Sequence, residues 1–303
     1  VKKPVSSRPD LYRRVTDQIL DQLAQGVRPW TQPWATGSRF GPVSRPLRHS
    51  LEPYSGINVV LLWSQAAARG FTAPVWMTFR QALALKACVR KGETGTTVVY
   101  ADRIVRPDTD DQGRDFDRSI PFLKAYTVFN LDQIDGLPET YRDQGVTTEP
   151  LGEARRLARA DVFCAATRAD IVHGGAMAFY DLAADRITLP PFATFHDAHG
   201  YYATLLHELT HWTRHAGRLD RDLGRRRFGD AGYAREELVA ELGAAFLCAD
   251  LGVALTPRED HAAYIAGWMK ALGEDPRLIF TAAAHAQRAC DYLQGLQPLA
   301  PTD

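Results

Sequence analysis

The stretch HELTHWTRH, residues 207–215, constrains this chain most. His207 and His211 stand four residues apart, which on a helix places both rings on one face, one turn apart. Leu205, Leu209 and Trp212 fall on the other side and predict its burial. The reading is therefore a helix through YYATLLHELTHWTRHAG, stopping at Gly217, with one polar stripe and one core stripe. Two imidazoles in that register suit one zinc ion, and Glu208 beside them suits a base that takes a proton from water.

Such a site needs a third ligand and an open position. A histidine ten residues after His207 would serve, but residue 217 is Gly. His215 continues the four-residue series, yet one straight helix does not easily wrap three imidazoles around a single tetrahedral ion. A glutamate from a later helix is the remaining source. The helix expected over 233–251 offers Glu236, Glu237 and Glu241 on an otherwise apolar pattern, where acids are costly without a task. Glu237 and Glu241 share a face. Glu237 is expected as the ligand and Glu241 as the carboxylate that orients a ligand histidine, although the two roles could be exchanged. Ala240, Gly243 and Ala244 are small enough to let this helix approach the first closely.

Several classes are excluded by what is missing. There is no GxxxxGK[ST] stretch and no GxGxxG between a strand and a helix, which argues against an ATPase or a dinucleotide enzyme. No apolar run is long enough for a membrane span, and no apolar segment follows the basic opening VKKPVSSRPD, so no secretory signal is expected. Cys88, Cys164, Cys248 and Cys290 form no CxxC pair and read as buried free thiols, which suggests the cytoplasm. The net charge is zero, but it is unevenly spread: residues 1–100 carry 14 Lys and Arg against 5 Asp and Glu, and the rest 22 against 31. A basic front half points to a polyanionic partner.

The front half reads as mixed α and β. Val15, Ile19 and Leu23 predict a helix from Asp10 to Gly26, and YSGINVVLLWSQAAARG a second ending at Gly70. Thr78 and Gln81 form a capping box for a third. GTTVVYA and AYTVFNL read as strands, and the charged segment 106–119 between them as an exposed hairpin-like loop. In the back half, short strands around ADIVHGG and MAFYDLAADRITLP precede the two motif helices. Thr256-Pro257-Arg258-Glu259 then opens another helix. The expected class is α+β in two domains, 1–137 and 153–303, joined by a polar linker over 138–152.

Aromatic and basic residues interleave over 28–100, a composition that suits single-stranded nucleic acid, with rings stacking on bases and cations following phosphates. Trp30 and Trp34, in a proline-rich loop, and Arg39, Arg45, Arg90 and Lys91 are the expected contacts. Trp63, Trp76 and Phe79 are expected in the core.

YSGINVVLLW, WMTFRQA, VRKGETGTTVVY and YTVFNLDQI in front, with AFYDLAADRITLP, YYATLLHELTHWTRHAGRL and YAREELVAELGAAFLCADLG behind, together resemble the ArdC-type antirestriction proteins of conjugative plasmids. They also resemble the N-terminal part of TraC-type primases. The resemblance covers nearly the whole chain. It implies an N-terminal single-stranded-DNA-binding domain and a mainly helical, zincin-like metallopeptidase domain with a small sheet. His207 and His211 would then be ligands to Zn2+ or another divalent ion, Glu208 the catalytic glutamate, and Glu237 or Glu241 the completing residue. Gly56 and Asn58 would shape a turn. The implied role is protection of incoming plasmid DNA from restriction, with a protein or peptide as a further partner. The alternatives are a DNA-shielding protein whose peptidase fold is idle, and a plain peptidase with a solubilising front.

Overall fold

The computed structural model describes residues 10–30, 44–109, 112, 114–142, 153–224, 231–254 and 261–298. In the front half, α1 (Leu11–Ala24) is capped by Asp10, which accepts from the Tyr12 amide, and it buries Val15, Ile19 and Leu23 as their spacing requires. β1 (Leu47–Arg48) leads to α2 (Ile57–Arg69), which ends where Gly70 turns left-handed at φ 67°. β2 (Val75–Met77) precedes α3 (Phe79–Ala84), whose Thr78–Gln81 capping box is formed. β3 (Cys88–Val89), β4 (Thr96–Thr109), β5 (Asp115–Asn130), β6 (Ile134–Asp135) and α4 (Glu139–Arg142) complete this half. The main sheet runs β1-β2-β5-β4, with β1 parallel to β2 and the other pairs antiparallel; β3 and β6 pair separately. Asn58 ties α2 to the free edge of β4 by imitating a strand. Its side chain donates to the Val99 carbonyl and accepts from the Val99 amide, both at 2.8 Å.

Two expectations for this half are corrected, and one is extended. The charged segment 106–119, expected as an exposed hairpin-like loop, carries regular strand pairing, with β4 and β5 paired from Thr96–Val128 out to Thr109–Asp115. Val105, Arg106 and Pro107 are exposed; where a ribbon projects into water, main-chain pairing holds it and apolar alternation carries no signal. Cys88 is exposed, whereas the other three cysteines are buried. Trp63 and Trp76 are core residues, but Phe79, at the first turn of a short surface helix, points outward.

In the back half, α5 (Glu153–Ala166) is followed by β7 (Asp170–His173), β8 (Phe179–Asp181) and β9 (Arg186–Leu189). β9 is central, parallel to β7 and antiparallel to β8. Then come α6 (Ala198–Trp212), α7 (Ala231–Leu251), α8 (His261–Glu274) and α9 (Leu278–Gly295). The helix start expected at 256–259 lies outside the described residues. α7 is buried all round, the sign of a central helix.

The chain is α+β: a front half built on mixed sheet and a mainly helical back half with a small sheet. The expected linker falls mostly on 143–152, outside the described residues. One apolar core crosses between the halves, with Trp30 of the front against Trp268 of α8 and Trp63 of α2 against Phe246 of α7. Polar contacts reinforce it. Arg45 makes a two-pronged bond to Asp250, both contacts at 2.7 Å, and donates to Gln287, whose amide oxygen also accepts from the Gly56 amide. Among the described residues, no helix is long and apolar enough to cross a membrane.

Candidate metal centre

α6 and α7 pack antiparallel, and they can do so closely because Gly243 faces Thr210. A Cβ at residue 243 would lie 2.5 Å from the Thr210 methyl. That approach brings the two carboxylate-bearing turns of α7 against the two histidine-bearing turns of α6. Glu237 lies between the rings: its oxygens stand 3.5 Å from His207 Nε2 and 3.5 Å from His211 Nε2. One donor atom from each of the three residues fits within a 4.8 Å cluster, and all three residues are buried. This is the only such group among the described residues.

The outer nitrogens of both rings are held as well. His207 Nδ1 stands 3.5 Å from Glu241. His211 Nδ1 is 3.1 Å from Glu236. Glu236 is in turn gripped by Arg221 at 2.9 and 2.7 Å, and Arg221 also donates to Thr213 Oγ1 and the Thr210 carbonyl. A carboxylate at Nδ1 favours the ring proton there, so that a cation could take the Nε2 lone pair. Burial would push Glu236 up, but the hydrogen bonds from Arg221 and His211 hold it at about 2. Burial would also raise Glu237, yet the two histidines keep it well below the usual carboxylate range. Burial works against a proton on His211, and Glu237 and Glu236 nevertheless carry it up to about 9.

The donor set fits a divalent cation. Two imidazole nitrogens and a carboxylate, all on buried side chains, are donors that such an ion takes. Glu208 is buried on α6, next in the chain to His207.

The spacing of His207, His211 and Glu237 was legible in the sequence; the pair Glu236–Arg221 was not. Glu236 was a candidate acid without a role, and Arg221 sits in a charged stretch with nothing local to distinguish it. The expected DNA contacts fare differently. Trp30 is fully buried, its ring edge-on to Trp268 with centroids 5.5 Å apart, so it cannot stack on a base. Arg45 is buried and paired with Asp250, so it is not free for a phosphate. These two expectations are corrected: composition showed an aromatic, basic stretch but not that Trp30 meets α8 and Arg45 meets α7. Trp34 and Arg39 lie outside the described residues. Arg90 and Lys91 are exposed, with Arg90 bonded to Glu93 and the Asp132 carbonyl.

Comparison with known proteins agrees over both halves. Residues 9–129 match the family described as the N-terminal domain of anti-restriction factor ArdC, and residues 158–285 the family described as zincin-like metallopeptidase. The chain is 43% identical over 293 residues to the protein y4eC of Sinorhizobium fredii, covering 95% of this chain and 92% of that one. It is 38% identical over 310 residues to a DNA primase TraC of Escherichia coli, but spans only 27% of that protein. Two crystal structures of the antirestriction protein ArdC from plasmid R388 superpose with a TM-score of 0.77. The metal-free one is 47% identical, with 95% of this chain and 98% of that one covered; the Mn(II)-bound one is 46% identical, with 96% and 99% covered. Shared sequence, shared fold and near-complete coverage at both ends lead to one conclusion: the chain belongs to the ArdC family of antirestriction proteins.

Proposed function

We propose that this protein shields single-stranded DNA from restriction and holds one divalent cation at His207, His211 and Glu237. The reading rests above all on the near-full-length likeness to ArdC of R388, supported by the basic front half. Arg90 and Lys91, and Trp34 and Arg39 beyond the described residues, remain proposed strand contacts. The division into a DNA-binding part, 1–137, and a metallopeptidase-like part, 153–303, is likewise part of the proposal. His207 and His211 present Nε2 to the cation, Glu237 adds an oxygen, and Glu236 and Glu241 orient the rings. Imidazole and carboxylate donors suit zinc, and they also admit manganese, the ion in the R388 protein.

A second reading, peptide hydrolysis, is favoured by one observation: Glu208 is buried beside His207, where a purely structural site needs no further acid. A bound cation would supply the charge that acidifies a water and polarises a carbonyl, and Glu208 would hold the proton released. Two variants separate the readings in cells that receive a restriction-sensitive plasmid by conjugation. Glu208→Gln, at normal protein levels, is expected to protect the plasmid as wild type does. Loss of protection with the cation still bound would favour hydrolysis instead. His207→Ala is expected to lose the cation by metal analysis while still shifting single-stranded oligonucleotides at low salt, where phosphate contacts are strongest.

A further inference from the structure

A cleft of about 750 Å³ opens between the β4–β5 hairpin, the turn into α2 and the side of α9. Its size falls within the roughly 300–1,000 Å³ of small-molecule sites. Rings reach it from four segments: Tyr12 of α1, Tyr54 ahead of α2, Tyr100 and Tyr126 of the hairpin, and Phe280 of α9. Tyr100 is 49% exposed and Tyr126 46%, which is unusual for large rings on the face of a sheet. Their centroids lie 6.5 Å apart, edge to face, and Phe122 extends the row 6.2 Å beyond Tyr100. The register sets Tyr126 opposite Val98 and Lys124 opposite Tyr100, so both tyrosines and Lys124 share one face.

Cations border this row of rings. The Arg48 guanidinium lies 5.5 Å over Tyr54, Arg277 5.0 Å over Tyr12, and the Lys124 ammonium 5.0 Å over Phe122. Two acids temper the charge: Glu52 stands 3.6 Å from Arg48, and Asp102 accepts from the Tyr100 hydroxyl at 2.7 Å. The His49 ring, 2.9 Å from the Gln81 amide nitrogen, supplies a polar wall. Two exposed tyrosine rings in a cleft that also holds Arg48, with Lys124 on their face of the sheet, suit a ligand that is flat and aromatic in one part and anionic in the next. A nucleotide within a single strand has that chemistry, and its base is free to leave the backbone line and stack.

We propose that this cleft receives an unpaired base of a DNA single strand, stacked on Tyr100 and Tyr126, while the adjoining phosphates pass Arg48 and Lys124. The proposal rests on the strand-shielding reading above and adds the place of contact. It is tested on the full chain with dye-labelled oligothymidylate by fluorescence anisotropy at low salt, and with an oligonucleotide carrying 2-aminopurine, whose emission falls on stacking.

Tyr100→Ala and Tyr126→Ala are each expected to weaken binding about tenfold, leaving its salt dependence unchanged. Tyr100→Phe keeps the ring and is expected to keep the affinity and the quenching. Arg48→Ala is expected to lower the slope of log affinity against log salt by about one. Alanine variants that bind and quench like wild type would overturn the cleft while leaving strand binding intact. Equal weakening toward duplex DNA, which offers no unpaired base, would overturn it too. Failure of wild type to bind any strand at low salt would instead remove the reading beneath it.

Discussion

Glu236 and Glu237 are neighbours in the chain, yet they face different atoms of the same histidine. Glu237 reaches Nε2 of both rings, and Glu236 reaches Nδ1 of His211 while Arg221 grips it from behind. One oxygen is placed to coordinate; the other fixes a tautomer. Glu236→Gln preserves the size of the side chain and removes the charge that makes Nδ1 a donor. We expect it to bind Mn(II) or Zn(II) about 10- to 100-fold more weakly by calorimetry, with the fold retained by circular dichroism. Unchanged affinity would mean that His211 is oriented by packing alone.

Between elements, the centre depends on how closely α7 lies against α6. Thr210 sits where a side chain on residue 243 would have to go, and its hydroxyl is already committed to the Leu206 carbonyl at 2.8 Å. Gly243→Ala therefore forces the helices apart, and the separation is felt at Glu241, Glu237 and Glu236 on the same helix. The expected loss is about 1–3 kcal/mol in urea unfolding, the usual range for overpacking a core, together with weaker metal binding. Adding Thr210→Ala to the same chain removes the obstructing methyl and hydroxyl, and is expected to restore most of both. If the double variant stays as unstable as Gly243→Ala, close helix approach is not the cause.

Across the whole molecule, the two halves recognised as separate families share one interior. Trp30 and Trp63 of the front lean on Trp268 and Phe246 of the back, and Arg45 is neutralised by Asp250 across the same boundary. Cutting the chain at residue 137 would bare these rings and strand a buried charge. A fragment of residues 1–137 is therefore expected to lack a cooperative thermal transition. The full chain is expected to melt in one step seen alike by tryptophan fluorescence and far-ultraviolet dichroism. A sharp transition in the fragment would show that the front half folds independently.

Local rules carried the sequence reading a long way. Helix period placed His207 beside His211, small residues marked the close face of α7, and turn chemistry located the capping box of α3 and the end of α2 at Gly70. Those features depend on residues within a turn or two of each other, so the order of the amino acids was enough to determine them. Which acid meets which imidazole nitrogen was decided by the tertiary structure, as were the burial of Trp30 and Arg45 and the exposure of Phe79. The physical reason is that burial and charge pairing depend on partners as distant as Trp268 and Asp250. Their positions relative to the front half exist only once the helices have packed.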